Sequence, residues 1–228
     1  MTTKTIGTLR EQQLHAALKT WLGKPGDTFE QKVEGYHIDI VRGDLLIEVQ
    51  TGSFIKLRTK LGRLLQNHQV LLVYPIAETK WILRQTKRGR QVARRKSPKR
   101  GRVEHLFEEL LYIPDIACHP NFRLLVLLTQ QEEIWRDDGR GSWRRRHWSI
   151  ADKRLVEVRG SVEFDTLSDY SALIPAGLQQ PFTHRHLAEA LGAPLWVSTR
   201  MSYCLRKMGC LETRGKAGRS LLLAQAAR

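Results

Sequence analysis

Cysteine is scarce in this chain, and what there is forms no framework. Cys118, Cys204 and Cys210 are the three in 228 residues. None stands in a Cys-x-x-Cys pair, which argues against a structural zinc and fits a reducing, cytoplasmic setting. His184/His186 and Cys204/Cys210 also lack the spacing of zinc ligands. Long apolar runs are missing as well. "VLLVYPIA" and "LLVLL" are too short to cross a bilayer, and MTTKTIGTLREQQ lacks the apolar stretch of a secretory signal, so no membrane partner is expected. Aromatic residues make up only 7%, yet a hydrophobic content of 41% excludes a disordered chain. The length suits one ordinary core with a small appendage.

Acidic side chains are outnumbered, 23 against 38 basic ones, for a formal charge of +15. A charge of that size points to a polyanionic partner, most often nucleic acid. It is unevenly spread: from Lys80 to Arg102 there is no Asp or Glu at all. "RGRQVARRKSPKRGR", with Arg94, Arg95, Lys96, Lys99 and Arg100, reads as a solvated, flexible basic loop over 86–102. A second cluster, "WRDDGRGSWRRRHW", interleaves Arg144, Arg145 and Arg146 with Trp135, Trp143 and Trp148. That mixture suits phosphate contact plus stacking, or else a hairpin tip whose tryptophans return to the core.

Periodicity then orders the elements. "TLREQQLHAALKTWLG" is an amphipathic helix with Leu14, Ala17, Leu18 and Trp21 as its stripe, Thr8 as cap and Gly23 as stop. Two alternating runs, "KVEGYHIDIV" and "LLIEVQ", flank Gly43-Asp44, a two-residue hairpin signal. "FIKLRTKLGRLLQNH" is a helix on a leucine stripe, "VLLVYPIA" a buried strand and "KWILRQ" a further one. "VEHLFEELLYI" is helical, and "NFRLLVLLTQ" and "KRLVEVRGSVEF" are strands around the Arg/Trp loop. The expected fold class is α/β, a mixed sheet flanked by helices.

A two-residue turn at Gly43-Asp44 sets a register that pairs Ile40 with Ile47 and Asp39 with Glu48. Ile38, Ile40, Ile47 and Val49 then share the core face, and His37, Asp39, Glu48 and Gln50 the other. Opposed carboxylates about 5 Å apart are destabilising, by roughly 3 kcal/mol at an effective dielectric near 20. A polar outer face could simply let them splay. A cation between them would turn the repulsion into ligation, and two carboxylates with waters and phosphate oxygens are a normal Mg²⁺ site.

Helix with Glu, hairpin with Asp, Glu-x-(Lys), then helix resembles the PD-(D/E)XK nuclease superfamily, the restriction-endonuclease-like fold, over about residues 8–85. The resemblance implies a Mg²⁺-dependent DNA endonuclease, with Mn²⁺ as an alternative ion, hydrolysing in line to leave a 5′-phosphate and a 3′-hydroxyl. Asp39 stands at the metal-binding Asp, Glu48 at the (D/E), and Glu11 where some members carry a first-helix Glu. With the Val49 carbonyl these would hold the metal. Glu11 also completes a capping box with Thr8. Gln50 departs from the pattern by occupying the Lys position, as in some Glu-x-Gln restriction-enzyme branches. Lys56 or Lys60, on the next helix, could reach back in its place.

After "IPAGLQQP" the chain changes character. Two helices, "THRHLAEALG" and "VSTRMSYCLRKMG", and a hairpin with a basic tip resemble a winged helix-turn-helix. Ser198, Thr199, Arg200, Ser202, Arg206 and Lys207 would face outward on the second helix, and Arg214, Lys216 and Arg219 would decorate the wing. The expected organisation is a nuclease-like domain over 1–172, a linker over 173–181 and a winged helix over 182–228. DNA, duplex or branched, is the implied partner, and a homodimer is left open. The alternative is a non-catalytic DNA-binding protein on a decayed nuclease fold, favoured by Gln50 and opposed by the Asp39/Glu48 pair.

Overall fold

The computed structural model describes residues 13–226. The expected α/β class is what it shows: one large mixed sheet with helices on its faces. Helix α1 (Gln13–Leu22) leads into β1 (Thr28–Val33), β2 (Tyr36–Arg42) and β3 (Leu45–Val49). A 3-10 turn, Phe54–Leu57, runs into α2 (Arg58–Leu64), then β4 (Gln69–Gln85) and β5 (Gln91–Lys96). Helix α3 (Phe107–Leu110), β6 (Phe122–Arg136), β7 (Ser149–Phe164) and the short α4 (Leu167–Ser171) complete the larger part. The remainder is α5 (His184–Leu191), α6 (Leu195–Lys207), β8 (Leu211–Ala217) and β9 (Ser220–Gln225).

The large sheet runs β1-β2-β3-β4-β6-β7, with β5 added to the far part of β4. β3 lies parallel to β4, and β4 parallel to β6. Parallel neighbours need a crossover, and α2 supplies the one between β3 and β4. Burial on both faces explains the unbroken apolar run of β4, since Val70, Leu72 and Ile76 pack on one side and Leu71 and Val73 on the other.

The Gly43-Asp44 turn forms as read, with Ile40 opposite Ile47 and Val41 opposite Leu46. Several local expectations needed correction. "KVEGYHIDIV" is not one strand: Glu34 and Gly35 both take left-handed φ values, 47° and 87°, and fold β1 back on β2. "VLLVYPIA" and "KWILRQ" are one strand, β4, carried through a bulge between Ala77 and Thr79. Trp21 is 52% exposed, and the buried side of α1 is Leu14, Leu18, Lys19 and Leu22. Successive fourth residues fit a short helix lying flat on a sheet better than the wider stripe did.

The basic segment is not simply a loop. Beyond β3, β4 runs on with a free edge, and Gln91–Lys96 pairs with it antiparallel, Trp81 opposite Lys96 and Leu83 opposite Arg94. Lys and Arg are what edge strands commonly carry, because charge discourages further pairing. High charge density therefore did not exclude a strand.

In the C-terminal unit Thr183 caps α5 by accepting the His186 N–H, and Gly192 ends it in the left-handed conformation. Phe182 forms an isolated bridge to Leu223, tying the start of this unit to β9. Leu187, Met201, Cys204, Leu205 and Leu223 belong to the same apolar cluster as Leu106, Phe107, Leu110 and Val126 of the larger part. Arg102 donates to the Gly192 carbonyl at 3.2 Å, and Arg200 pairs with Glu108 at 3.1 Å. No helix among the described residues is long and apolar enough to cross a membrane.

Candidate active site

Asp39 sits where β2 parts from β3, for the last ladder pair before it is Ile40 with Ile47. Its side chain takes over from the ladder: Oδ2 accepts the Val49 N–H at 2.8 Å. Across β1 the backbone is also bent, with Glu30 at φ 52°. This twist corrects the expected face. Ile40, Ile47 and Val49 pack under α1, whereas Ile38 joins the cluster on the opposite side of the sheet.

The carboxylate is buried and well held. His15 Nε2 lies 3.2 Å from Asp39 Oδ2, and Lys19 Nζ lies 4.0 Å from Oδ1. Burial alone would raise the Asp39 pKa; the His15 bond and charge, the Val49 N–H and Lys19 outweigh it and hold the group below its ordinary value. Lys19 is also paired with Glu30. His15 and Lys19 went unread in the sequence. Their signal was positional: each follows a core leucine, Leu14 or Leu18, so both line the same border of α1.

Glu48 is held differently. Its Oε1 pairs with Lys60 Nζ at 2.7 Å, while Oε2 is buried with no hydrogen-bond partner. Burial, then the negative charge of Asp39, push its pKa up to about 7; Lys60 and His15 only partly offset them. The two carboxyls thus shift in opposite directions, Asp39 below its ordinary value and Glu48 up to about 7.

Of the two lysines the sequence left open, Lys60 is the one that reaches back. Its ammonium touches Glu48 and also donates to the His37 carbonyl at 2.6 Å, whereas Lys56 is exposed. Gln50 turns away: its Nε2 donates to the Ser53 carbonyl at 2.7 Å. Glu11 and Thr8 lie outside the described residues.

A cleft of about 350 Å³ opens just past Gln50, lined by Thr51, Lys80, His105, Glu108, Gln131 and Lys153 among others. It lies off the carboxyl end of β3, the usual place for a ligand beside parallel strands. Lys80 is tethered to Glu133 at 2.8 Å. The cleft's outer wall meets α6, since Trp196 packs on His105 and Arg200 pairs with Glu108.

The residues expected to contact DNA fall into two groups. Arg95, Lys96, Lys99, Arg100, Arg144, Arg146, Thr199, Lys207, Lys216 and Arg219 are exposed. The others are engaged. Arg94 lies 3.9 Å over the Trp81 ring and pairs with Glu132, Arg145 donates to the Trp148 carbonyl, and Arg214 pairs with Glu212. Arg206 is half-buried, and Arg200 lies over Trp196 with its charge on Glu108. Ser198 and Ser202 do not face outward. Both are fully buried, donating to the carbonyls of His184 and Ser198, because that side of α6 is wrapped by α5.

The fold and site define an α/β protein with two buried carboxyls on adjacent strands and a cleft off the end of β3. Residues 12–165 match the family described as Domain of unknown function (DUF8091), and the chain belongs to that family. An uncharacterized protein of Treponema pallidum (strain Nichols) is 32% identical over 219 residues, which cover 96% of this chain and 86% of the relative. The likeness therefore runs into the C-terminal unit as well. No solved structure matches the chain.

Proposed function

We propose that this chain is a metal-dependent DNA endonuclease centred on Asp39 and Glu48. The observation that carries the reading is the bare, buried Glu48 Oε2 beside the ionised Asp39. A buried carboxylate oxygen without a partner is costly, and a cation would satisfy it. Among the described residues no group of three or more His, Cys, Asp or Glu forms a metal cage. Mg²⁺, with Mn²⁺ as its substitute, keeps several waters and can be bound through one or two carboxylates. Asp39 and Glu48 are the residues that would hold it, with the Val49 carbonyl and Glu11 completing the set that the PD-(D/E)XK resemblance implies. When bound, such an ion lowers the pKa of a coordinated water and neutralises charge on the scissile phosphate.

The protein groups have separate tasks. The Val49 N–H and His15 fix the Asp39 carboxylate through Oδ2, and Lys19 Nζ stands 4.0 Å from Oδ1. Lys60 supplies from α2 the positive charge that position 50 lacks, and its tether to the His37 carbonyl keeps it at Glu48. In the neighbouring cleft Lys153 adds a positive charge that suits a phosphodiester chain, while Lys80 is paired with Glu133 and Glu108 with Arg200. The test is incubation with supercoiled, linear, branched and single-stranded DNA in Mg²⁺ or Mn²⁺. Cleavage that disappears in Asp39→Asn supports the assignment.

The second reading is a non-catalytic DNA-binding protein. It is favoured by Gln50 being bound to the Ser53 carbonyl and by Lys60 already neutralising Glu48. A protein inert on every DNA form with either metal, yet binding in a salt-sensitive way, would decide for it.

A further inference from the structure

The strands β6 and β7 run past the core and are joined by residues 137–148, and the three tryptophans of that region part company. Trp148 lies under the Arg84 guanidinium at 5.2 Å, and Trp135 has its ring nitrogen buried. Trp143 is 75% exposed, the most exposed large apolar side chain among the described residues.

The loop that carries it is closed on itself. The Gly141 N–H donates to the His147 carbonyl at 2.8 Å, and the His147 N–H to the Ser142 carbonyl at 3.0 Å. Arg145 bonds the Trp148 carbonyl through its side chain, and Arg146 and His147 both adopt left-handed φ. Gly141 is obligatory here, because a Cβ would stand 1.8 Å from the Trp148 oxygen. The indole is thus held outward by a bonded turn. Around it basic charge prevails: the loop carries Arg140, Arg144, Arg145 and Arg146 against Asp137 and Asp138, with Arg144 5.6 Å from the ring and Arg146 exposed.

We propose that Trp143 is a stacking residue that selects nucleic acid with an accessible base face, a gap, a junction or a single strand, over continuous duplex. An indole flanked by guanidinium groups matches a base next to its phosphates. In continuous duplex each base face is covered by its neighbour, so the same ring finds no partner unless a step is first unstacked. This inference rests on the nucleic-acid part of the reading above and not on its cleavage chemistry.

The experiment measures binding in EDTA, with labelled continuous duplex, the same duplex carrying a short central gap, and a single strand. Wild-type protein, Trp143→Ala and Trp143→Phe are compared, with thermal melts confirming that all three are folded. Trp143→Ala should weaken gapped and single-stranded binding roughly 5- to 150-fold, the range one base–aromatic stack supplies. Continuous-duplex binding and the salt slope should be unchanged, and Trp143→Phe should recover most of the loss. Equal effects on all three DNAs, or none, overturn the proposal, as does wild-type protein that binds no DNA. Loss of binding to anionic phospholipid vesicles without loss on DNA would reassign the tip to a membrane surface. Absent cleavage with intact Trp143 selectivity would remove the nuclease reading and leave this one standing.

Discussion

Replacing Glu48 by Gln should make the metal-free protein more stable near neutral pH. Glu48 is 13% exposed, and burial together with Asp39 raises its pKa from 4.5 to about 7 in the folded chain. The folded state therefore keeps a proton that the unfolded state releases. Stability falls as pH rises from about 4.5 to about 7, and the loss is complete above that window. At about 1.4 kcal/mol per unit the difference is about 3 kcal/mol. Glu48→Gln retains an acceptor for Lys60 and removes the charge, so it should recover about that amount near pH 8 and nothing near pH 4. In a chain of this size each kcal/mol moves the melting temperature by about 2–4 °C, a difference well within thermal or urea unfolding in EDTA. Mg²⁺ should narrow the gap by stabilising the wild type and not the variant. A variant no more stable than wild type near pH 8, or a Glu48 carboxyl titrating at the ordinary value by NMR, would refute the account of this site.

Three further outcomes are expected. Asp39→Asn should abolish cleavage while leaving DNA affinity nearly intact, as read by gel shift beside nicking of supercoiled DNA, because the proposed phosphate contacts lie elsewhere; that binding should fall steeply with salt. Lys60→Met should lower the cleavage rate about 10²–10³-fold, the scale of removing one charge-stabilising group, and Lys56→Met should leave it unchanged; equal loss in both would remove Lys60 from its role. Ending the chain before Pro181 uncovers the apolar surface that α6 shares with α3, so the shortened protein should melt earlier or aggregate; an unchanged melting temperature would show that the two parts fold independently.

Local chemistry settled much of this molecule. Gly43-Asp44 admits a tight turn and little else, and that turn alone sets Ile40 against Ile47 and puts Asp39 and Glu48 at neighbouring heights on adjacent strands. Thr183 and Gly192 bound α5 by capping, and the leucines of α1 and α2 find the sheet by their spacing. Tertiary structure decided what depends on partners distant in sequence. The choice of Lys60 over Lys56 was fixed by where α2 crosses β3, and the departure of Ile38 from its expected face by the twist at Asp39. The basic segment became β5 because β4 outruns β3 and offers a free edge, which no residue of the segment announces. Trp143 faces out while Trp135 and Trp148 turn in, although all three stand among arginines. Composition reports which side chains could meet a polyanion, but hydrogen bonds closed across the loop determine which of them remain free to do so.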